Sequence, residues 1–558
     1  MKFYVMVKGK TLVLILAALL VIALAFMFHV IRMFNISRPV TPELITSYTP
    51  KDYTTGDPSN PRFYNLLLEE EALKFERCKD IKKAASVQRS IISLTNHVNR
   101  TYNIGETIQA TVTLHDGYNK RKYSGGDHLR ARIQNKVLKA SAPCIVTDNK
   151  DGIQTVACEA LWTGTSTIIV TLAHTVETIA TNYRLKTQVL ATHVLEGLFK
   201  SRNYSEITTC HPDNIHLLKH TNYSELCNMT YMNSGMPFYC GKPKSEHLLC
   251  EDWQFVRQAE MFPDFQTTQC EQTLLNRGKR TFRQTLSVKV ENKIGDNHVI
   301  DKPSVPCSSY NSSLLWRSRG QTGFFFNGKW NLRNCFGFQG NDYKKCLENR
   351  HLYLFGDSTT RAWYKEILNR FKCQRITEKW WMWRWHKESE CFNKQINFKA
   401  GWYPHAHPYF VTNKWDDVRY NLYSISRRID NIPQTERTIV VIHMFLHMLP
   451  FHHSVFRQKM KIIRKSVETF LEKNKYSIVM IKGPHTFEVN QTTRFRHSDY
   501  FGYLYSKIIS EVFEGLQDRI ILLNNMDITL AHANDNIHPP KNVVNAMIDQ
   551  MLSYACDQ

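Results

Sequence analysis

Residues 351–361 run His351-Leu352-Tyr353-Leu354-Phe355-Gly356-Asp357-Ser358-Thr359-Thr360-Arg361. The apolar run 352–355 predicts a short β-strand, and Gly356 ends it. Apolar side chains then recur at helical spacing, at Ala362, Trp363, Ile367, Leu368 and Phe371. The pattern therefore predicts that Ser358 lies where a strand turns sharply into a helix.

A sharp turn of this kind suits Ser358 for nucleophilic chemistry. It holds a hydroxyl at the carboxyl edge of a sheet and directs helix N–H groups at a developing oxyanion. A serine hydroxyl also needs a base. The candidate base is His538, in the segment Asn534-Asp535-Asn536-Ile537-His538-Pro539-Pro540, where Asp535 can orient the imidazole from three residues away. The chain order Ser, Asp, His is one of several that build the same triad.

Both motifs also have a purely structural interpretation. A Gly-Asp-Ser turn after a strand is common, and the Asp-x-x-His segment before Pro539-Pro540 can simply cap a helix, because proline is tolerated in the first helical turn. Their combination, one opening and one closing residues 351–540, favours the catalytic interpretation. Ser358, Asp535 and His538 are therefore the candidate triad, with Gly356 and Asp357 as supporting residues of the motif.

Length and composition indicate several folded domains with a basic surface. The chain has 558 residues, 42% of them hydrophobic and 12% aromatic, which is enough for about two or three domains. Its 72 basic and 50 acidic residues give a net charge of +22. The features described below indicate a lumenal chain. In that compartment a basic surface is expected to bind anionic glycans or a membrane surface and not nucleic acid. A solvated basic surface without a ligand is the alternative.

The N-terminus contains an apolar run, residues 11–31, of about the length that spans a bilayer. Lys2, Lys8 and Lys10 precede it, which orients it weakly toward a cytosolic N-terminus. A cleaved signal peptide is the alternative, but its apolar core should be shorter and end in small residues. This run ends in bulky side chains. We expect an uncleaved signal-anchor and a single-pass type II membrane protein, and a secreted chain if cleavage occurs.

The residues after the apolar run fit a lumenal chain. The 14 cysteines are even in number and form no pair with zinc-like spacing, so disulfides are favoured over metal. We expect most of them to pair and Cys556 to tie the last helix to the C-terminal domain. Six sequons are the glycosylation candidates, at Asn99, Asn203, Asn222, Asn228, Asn311 and Asn490. A seventh, at Asn35, lies close to the predicted membrane span.

Four segments follow the cytosolic tail and anchor of residues 1–31. A proline-rich stem covers 32–85, with one short helix predicted at 66–77. Alternating strands, at 107–114, 129–133 and 167–172, predict a β-sandwich over 86–195. Residues 196–311 are cysteine-rich and are predicted to form an extension that disulfide bonds stabilise. In 312–558, strand-like runs at 438–442, 477–481 and 519–523 alternate with helical patterns at 456–473 and 543–554.

This alternation over 312–558 predicts a parallel sheet with helices on both faces. Ligands bind such sheets at the carboxyl ends of the strands. Ser358 and the loop from Asp535 to His538 would both lie there, so the fold and the candidate triad agree.

Two other clusters have alternative interpretations. Trp380-Trp381-Met382-Trp383-Arg384-Trp385 would place alternate tryptophans on one face of a strand, either for core or interface packing, which we favour, or as a sugar-stacking surface. The histidines at 443, 447, 452 and 453 lack a carboxylate or cysteine with supporting spacing, so we predict no metal site.

These motifs carry a resemblance to a known family. Gly125-Gly126-Asp127 with Leu129-Arg130-Ala131-Arg132, and Leu161-Trp162 before Gly164, resemble a filamin-type immunoglobulin-like repeat and the N-terminal region of neurexophilin-related proteins. With Gly356-Asp357-Ser358 and Asp535-x-x-His538 added, the chain resembles the neurexophilin and PC-esterase domain (NXPE) family, whose C-terminal half is related to SGNH (GDSL-type) hydrolases. The resemblance implies an α+β multidomain fold: membrane anchor, immunoglobulin-like sandwich, neurexophilin-like extension and SGNH-like α/β domain.

The resemblance also implies roles for single residues. Relatives include carbohydrate O-acetyltransferases acting on sialic acid or plant cell-wall polysaccharides. By analogy, Ser358 is the nucleophile, His538 the general base and Asp535 its orienter, and the oxyanion candidates are Ser358, Ala406 and His447. The sequence departs from the family pattern in two places. Ala406 stands where a glycine is expected, and Phe445 stands where a small residue is expected.

Two functions follow as expectations. The first is a lumenal O-acyltransferase or esterase acting on a glycan or glycoprotein, with acyl-CoA such as acetyl-CoA as donor and no bound cofactor. It would face the lumen of the Golgi or endoplasmic reticulum, or stand at the cell surface. The second is a neurexophilin-like binding or adhesion glycoprotein, whose sandwich meets a cell-surface protein and whose esterase fold is a degenerate scaffold. The triad favours the first, whereas Ala406 and Phe445 favour the second.

Overall fold

Three β-sheets organise the part of the chain that the computed structural model describes. The described residues are 66–95, 100–259, 267–293, 297–317, 321–337, 343–376, 387–409, 413–418, 423–434, 437–488 and 498–556, and all belong to one compact unit. The predicted membrane span, most of the predicted stem, Asn99, Asn490 and the tryptophan-rich stretch lie outside them. Within the described residues, no helix combines the length and the apolar character needed to cross a bilayer.

The strands are short and are numbered along the chain. They are β1 (Ile91–Leu94), β2 (Thr101–Asn103), β3 (Thr107–Thr113), β4 (His128–Asn135), β5 (Ala140–Asp148), β6 (Ile153–Glu159), β7 (Gly164–His174), β8 (Leu195–Ser201), β9 (Tyr204–His211), β10 (Leu226–Asn228), β11 (Tyr239–Gly241), β12 (Trp253–Gln258), β13 (Arg280–Thr281), β14 (Leu286–Glu291), β15 (Gly323–Phe326), β16 (Lys329–Leu332), β17 (Arg350–Gly356), β18 (Gln374–Arg375), β19 (Ser389–Asn393), β20 (Phe398–Pro404), β21 (Asp416–Asp417), β22 (Arg437–Ile442), β23 (Ile478–Lys482) and β24 (Ile520–Leu523).

The α-helices are numbered in the same way. They are α1 (Glu69–Lys74), α2 (Val176–Thr187), α3 (Asn214–Lys219), α4 (Gln269–Asn276), α5 (Ser313–Arg317), α6 (Tyr343–Leu347), α7 (Ser358–Arg370), α8 (Ile425–Asp430), α9 (His453–Lys473), α10 (Tyr500–Val512), α11 (Asn525–His532) and α12 (Lys541–Ala555). The short helix predicted at 66–77 is α1, and the helices predicted at 456–473 and 543–554 are α9 and α12.

The first sheet system is antiparallel over β1-β3-β6-β5-β4-β7. The first half of β5 pairs with β4 and its second half with β6, so β5 joins two layers. Side chains alternate between buried and partly exposed along β3 and β4. The buried ones, such as Ile108, Val112, Leu129 and Ile133, share one core. The predicted strands at 107–114, 129–133 and 167–172 are confirmed.

Strands from later in the chain complete this sheet system. β14 pairs antiparallel with β7 and parallel with β2, and the hairpin of β15 and β16 meets β5 through Phe325 and Ser141. These strands come from segments predicted to form the extension and the C-terminal domain. Alternation along a strand reveals which face is buried but not which strand is its partner. The domain boundaries at 195/196 and 311/312 stay predictions.

The second sheet has the order β10-β11-β9-β8-β12-β21. It lies mostly in the segment predicted as a cysteine-rich extension, where the sequence pattern indicated little regular structure. Two disulfides, Cys210–Cys240 and Cys227–Cys250, support its short strands. The side chains of Phe199 and Trp253 are fully buried beneath it. Disulfides and aromatic burial here replace the long hydrophobic alternation that sequence reasoning relies on.

The third sheet is the one predicted for residues 312–558. Its order is β18-β19-β20-β17-β22-β23-β24, and β20, β17, β22, β23 and β24 are mutually parallel. The central strands are almost wholly buried, as expected for a parallel sheet covered by helices. The helices pack in two groups. In one, α12 contacts α7 and α11, and in the other, α9 contacts α8 and α10. The predicted strands at 438–442, 477–481 and 519–523 are confirmed.

The α/β region packs directly on the first sheet system. Helix α11 contacts β4, β5 and β15. At the start of α10, the carboxylate of Asp499 lies 2.7 Å from Arg130 on β4 and 2.8 Å from His174 on β7. These three side chains are largely buried, so removing one partner would leave an unpaired buried charge. The two regions are therefore joined by packing and by ion pairs.

All 14 cysteines lie in the described residues and pair in seven disulfides. The pairs not yet named are Cys78–Cys270, Cys144–Cys158, Cys307–Cys335, Cys346–Cys556 and Cys373–Cys391. The predicted role of Cys556 is confirmed, because its bond to Cys346 ties the end of α12 to α6. Such dense pairing is typical of secretory-pathway or extracellular proteins.

Four glycosylation candidates lie in the described residues, namely Asn203, Asn222, Asn228 and Asn311. All four are exposed. An exposed asparagine is accessible to a glycan, so these sites stay predictions that the structure permits sterically.

Replacing Cys346 and Cys556 together by serine should lower the free energy of unfolding by roughly 2–5 kcal/mol, because the bond closes a sequence separation of 210 residues. The matched control is the double serine variant of Cys144 and Cys158, whose separation is only 14 residues. We expect a smaller loss there, since loop-closure entropy grows with loop length. Chemical denaturation of both variants measures the difference. Equal midpoints for the wild type and the first variant would contradict the pairing.

Candidate active site

The strand-to-helix turn before Ser358 requires a glycine. Gly356, the last residue of β17, has φ = +147°. A Cβ atom at this position would lie 2.3 Å from the carbonyl oxygen of His443. Only glycine adopts this conformation and also permits this approach. The turn therefore brings the end of β17 against the segment that follows β22.

Asp357 then caps the helix and fixes its direction. Its carboxylate accepts hydrogen bonds from the backbone N–H of Thr359 at 2.8 Å and from the Thr359 hydroxyl at 2.7 Å. The indole N–H of Trp402 donates to the Asp357 carbonyl at 3.2 Å. Ser358 is consequently the first residue of α7, partly exposed. Its position at a helix N-terminus favours negative charge close to its Oγ.

The imidazole of His538 lies at the same place. Its Nε2 is 2.7 Å from Ser358 Oγ, although the two residues are 180 positions apart. His538 belongs to the loop between α11 and α12, and α12 starts directly after Pro540. The Pro-Pro pair therefore does precede a helix, and the histidine before it still reaches the serine. The geometry suits transfer of the hydroxyl proton to Nε2.

Two residues that the sequence analysis did not select hold this loop. The side-chain amide of Asn534 donates to the carbonyls of Thr486 and Asn536 at 2.7 and 2.8 Å. His485 is fully buried and donates from Nε2 to the Ile537 carbonyl at 2.8 Å, one residue before His538. Burial lowers the pKa of His485 to about 3, so the imidazole is neutral. Because the partner of His485 is a backbone carbonyl, no residue type in the sequence indicates this contact.

Asp535, the predicted orienter, lies apart from the imidazole. Its exposed carboxylate forms an ion pair with Lys279, and its carbonyl accepts from the Glu488 N–H at 3.0 Å. Among the described residues, no hydrogen bond joins Asp535 to His538. The structure thus brings together two members of the predicted triad and places the third on a neighbouring ion pair. Lys279 lies 256 positions upstream of Asp535, so the spacing of residues along the sequence could not predict this ion pair.

A buried network of charged side chains lies next to the beginning of α7, where Ser358 stands. Burial alone would raise the pKa of Asp357, but His443, His447 and Lys482 outweigh burial and hold it well below its usual range. Lys482 donates to the Thr359 hydroxyl at 3.1 Å. Burial lowers the pKa of Lys482 to about 8, opposed by Asp357. The carboxylate and the ammonium are therefore both charged at neutral pH.

His443 completes this network as a neutral imidazole. Burial and the neighbouring Lys482 lower its pKa to about 4. Its Nδ1 donates to the Lys482 carbonyl at 2.8 Å, so Nε2 accepts from the Lys482 ammonium at 3.2 Å. Helix α7 is thus held by a fully satisfied polar cluster, which rigidifies the site.

The oxyanion candidates lie at the same sheet edge as Ser358. Gly356 on β17 stands opposite Pro404 on β20, and Ala406 follows two residues later. The side chain of Ala406 is almost wholly buried. In a parallel sheet these carboxyl ends meet, so the register places Ala406 and Ser358 at one edge.

The side chain of His447, another oxyanion candidate, is hydrogen-bonded to His405. Burial lowers the pKa of His405 to about 4, and its Nδ1 donates to the Ala406 carbonyl at 2.7 Å. The Nε2 of His405 must then accept, at 2.8 Å, from the Nδ1–H of His447. The three oxyanion candidates, Ser358, Ala406 and His447, stay predictions.

The four histidines at 443–453 do not form one cluster. His443 contacts Lys482, His447 contacts His405, and the pair His452 and His453 lies against Glu69. Phe445, which stands where a small residue was expected, is fully buried in the core and packs on His485, Phe487 and Tyr505. Its ring therefore fills the hydrophobic core.

Two family models match the chain. Residues 71–260 match the model described as Neurexophilin. Residues 330–556 match the model described as NXPE family member 4-like, C-terminal domain. The first match covers the first two sheets in large part, and the second covers the parallel sheet with Ser358 and His538.

Gly356→Ala should destabilise the chain and slow the reaction of Ser358 with a fluorophosphonate probe, because the methyl group meets the His443 carbonyl. Gly515→Ala is the matched control, since Gly515 also has a positive φ of +86° but nothing within 4 Å of its added Cβ. The control should cost only the backbone strain, roughly 1–2 kcal/mol, and leave the labelling rate unchanged. Equal effects of the two variants on unfolding and labelling would contradict this account of the turn.

The rate at which the probe labels Ser358 should fall as pH falls through the pKa of His538, because protonated imidazole cannot accept the hydroxyl proton. Burial, Arg361 and Lys365 lower that pKa, and Asp357 opposes them. We therefore expect the midpoint to lie below the ordinary value of 6.5 and labelling to persist into mildly acidic buffer. Lys365→Met should move the midpoint upward, whereas Lys465→Met, on the exposed side of α9, should not. A midpoint above the ordinary value would contradict this electrostatic account.

Proposed function

Because the chain belongs to the neurexophilin and PC-esterase domain (NXPE) family, we propose that it is a serine-dependent O-acyltransferase or esterase acting on carbohydrate. The observation that carries this proposal is the 2.7 Å contact between Ser358 Oγ and His538 Nε2 at the N-terminus of α7. The relation of its C-terminal domain to PC-esterases is consistent with a hydrolase or acyltransferase. The family match and the contact between Ser358 and His538 together support this proposal.

The first step forms an acyl-enzyme. His538 Nε2 takes the hydroxyl proton while Ser358 Oγ attacks the carbonyl carbon of the acyl donor. The carbonyl oxygen becomes an oxyanion at the N-terminus of α7. When the bond to the leaving group breaks, His538 returns the proton to that group. Donor acyl and serine thus become an ester on Ser358 plus a free thiol or alcohol.

The second step transfers the acyl group. A sugar hydroxyl enters, His538 removes its proton, and the oxygen attacks the ester carbonyl. Collapse of the tetrahedral intermediate releases the O-acylated sugar, and His538 returns the proton to Ser358. Water in place of the sugar gives hydrolysis. The same two residues therefore serve transferase and esterase activity, and access of acceptor or water decides between them.

The backbone N–H groups of Ser358 and Ala406 are the proposed oxyanion donors. Helix α7 adds the partial positive charge of its N-terminus. His447 stays a third candidate, and its Nδ1 lies 2.8 Å from His405 Nε2. Compared with the glycine that the family pattern predicts, Ala406 retains a backbone N–H and adds a methyl group.

Donor, acceptor and compartment complete the proposal. The donor is an acyl-CoA such as acetyl-CoA, which is a substrate and not a resident cofactor. The acceptor is a hydroxyl of a glycan or glycoprotein. The seven disulfides support a location in the secretory pathway or outside the cell. A membrane anchor at residues 11–31 would keep the site facing the lumen.

A second candidate function is binding without catalysis. The Neurexophilin match over residues 71–260 favours it, as does the ion pair that keeps Asp535 with Lys279. In that case the antiparallel sheets would recognise a cell-surface protein, and the parallel sheet would act as a scaffold. The intact contact between Ser358 and His538 favours the enzyme.

The purified full chain should react covalently with a fluorophosphonate probe at Ser358. Ser358→Ala should abolish labelling, and Ser506→Ala, a partly exposed serine on α10, should leave it unchanged. His538→Ala should slow labelling by at least about a hundredfold through loss of the base. Asp535→Asn should cost less than His538→Ala, because its carboxylate bonds to Lys279 and not to the imidazole.

The same proteins, offered labelled acetyl-CoA and a sialylated or neutral oligosaccharide, distinguish the outcomes. O-acetylated product from the wild type and none from Ser358→Ala supports transfer. Labelling of Ser358 with release of free acetate, but without O-acetylated sialylated or neutral oligosaccharide, supports hydrolysis. Identical labelling of wild type and Ser358→Ala, with both proteins folded, would refute the enzyme and leave binding.

A further inference from the structure

A separate group of metal-ligating side chains lies where α1 meets the beginning of α9. Glu69 is the first residue of α1, and His452 and His453 are the N-cap and first residue of α9. One ligand atom from each of the three lies within 4.8 Å of the other two. Glu69 Oε2 is 2.8 Å from His452 Nε2 and 3.4 Å from His453 Nδ1. Two imidazoles thus converge on one carboxylate oxygen.

The Nδ1 atom of His453 is buried and lacks a hydrogen-bond partner among the residues that the structure describes. Glu69 Oε2 lies 3.4 Å from this Nδ1 without forming a hydrogen bond with it. A buried polar atom without a partner is costly and needs an explanation.

His452 has the surroundings that a ligand histidine needs. Its Nδ1 lies 2.8 Å from the hydroxyl oxygen of Ser454, which can accept an Nδ1 proton. In the structure Nδ1 also accepts from the Ser454 backbone N–H at 3.3 Å, so Nε2–H donates to Glu69 at 2.8 Å. A metal ion at Nε2 would displace that proton, and the ring would then donate from Nδ1 to the Ser454 hydroxyl. Hydrogen bonding of the remote ring nitrogen is what fixes the orientation of metal-bound histidines.

We propose that Glu69, His452 and His453 bind one Zn²⁺ ion, with water in the fourth position. Two imidazole nitrogens and a carboxylate oxygen suit zinc, which bonds such ligands at about 2.0–2.2 Å. Ca²⁺ and Mg²⁺ prefer oxygen ligands alone. The ion would give Nδ1 of His453 a partner and would take the place of the His452 Nε2 proton that now binds the carboxylate.

The charges facing this site permit a divalent cation. Arg457 is paired with Glu511 at 2.6 Å, so its charge is balanced. Burial lowers the pKa of Lys186 to about 7, so it is partly neutral at physiological pH. The rings of Tyr183 and His216 also lie close to His453 and His452, respectively.

The expected consequence is structural. Glu69 stands near the beginning of the described chain, within the segment 32–85 that the sequence predicts as a stem, and it is 383 residues from His452. A bound ion would clamp α1 to the parallel-sheet region. The clamp would reinforce the hydrogen bond from the Tyr500 hydroxyl to the Leu67 carbonyl, 2.9 Å long, on the same segment. Removal of the ion should loosen this segment without affecting Ser358.

The experiment titrates the full chain, stripped with a chelator, with ZnCl₂ in competition with a chromophoric zinc indicator. The wild type should bind one equivalent more tightly than His453→Ala and Glu69→Gln, by at least about tenfold. Zinc X-ray absorption should show two imidazoles and oxygen in the first shell. Zinc should also raise the melting temperature of the wild type alone.

Two controls separate metal binding from other roles. Glu69→Gln keeps an oxygen that accepts from His452, so a purely hydrogen-bonding role would survive it. His247→Ala removes an exposed histidine elsewhere and should leave the titration unchanged. If the wild type, Glu69→Gln and His453→Ala bind zinc with the same stoichiometry and affinity, the proposal is overturned. The same holds if the tight equivalent is lost only in His247→Ala.

Discussion

The candidate site depends on the close approach of two backbones, Gly356 at the end of β17 and His443 after β22. No side chain fits between them, and this contact sets the direction in which the chain leaves the sheet. Helix α7 then starts at Ser358 with Asp357 as its cap, so the position of Ser358 follows from the turn itself. The hydroxyl stands at the carboxyl edge of a parallel sheet, where strand ends and helix N-termini converge.

Beneath this turn lies an unusual arrangement of buried charge. A carboxylate, an ammonium and a neutral imidazole, from Asp357, Lys482 and His443, satisfy one another with the Thr359 hydroxyl. Networks of this kind contribute little net stability but penalise any other arrangement, because each group would be left unpaired. The network therefore supports a single geometry for α7. The carboxylate of Asp357 also acts on His538. It raises the pKa of His538, whereas burial and the cations Arg361 and Lys365 lower it.

The two regions matched by different family models are physically one body in the described residues. Helix α11 packs on β4 and β5, and Asp499 is paired with Arg130 and His174 across that contact. The loop that carries His538 follows α11 directly. Helix α11 therefore connects the antiparallel strands of the first sheet system to the loop that carries His538.

The sequence by itself determined the local features: the strand-to-helix turn at Ser358, the parallel strands of the C-terminal region, the alternation in β3 and β4, and the candidate base at His538. These follow from side-chain periodicity and glycine, which act within a few residues. Tertiary structure alone decided the pairing of Asp535 with Lys279, the network around Lys482, the return of β14 to the first sheet, and the meeting of Glu69 with His452. These contacts join residues tens to hundreds of positions apart, and such pairing depends on how whole sheets and helices pack, which no local pattern encodes.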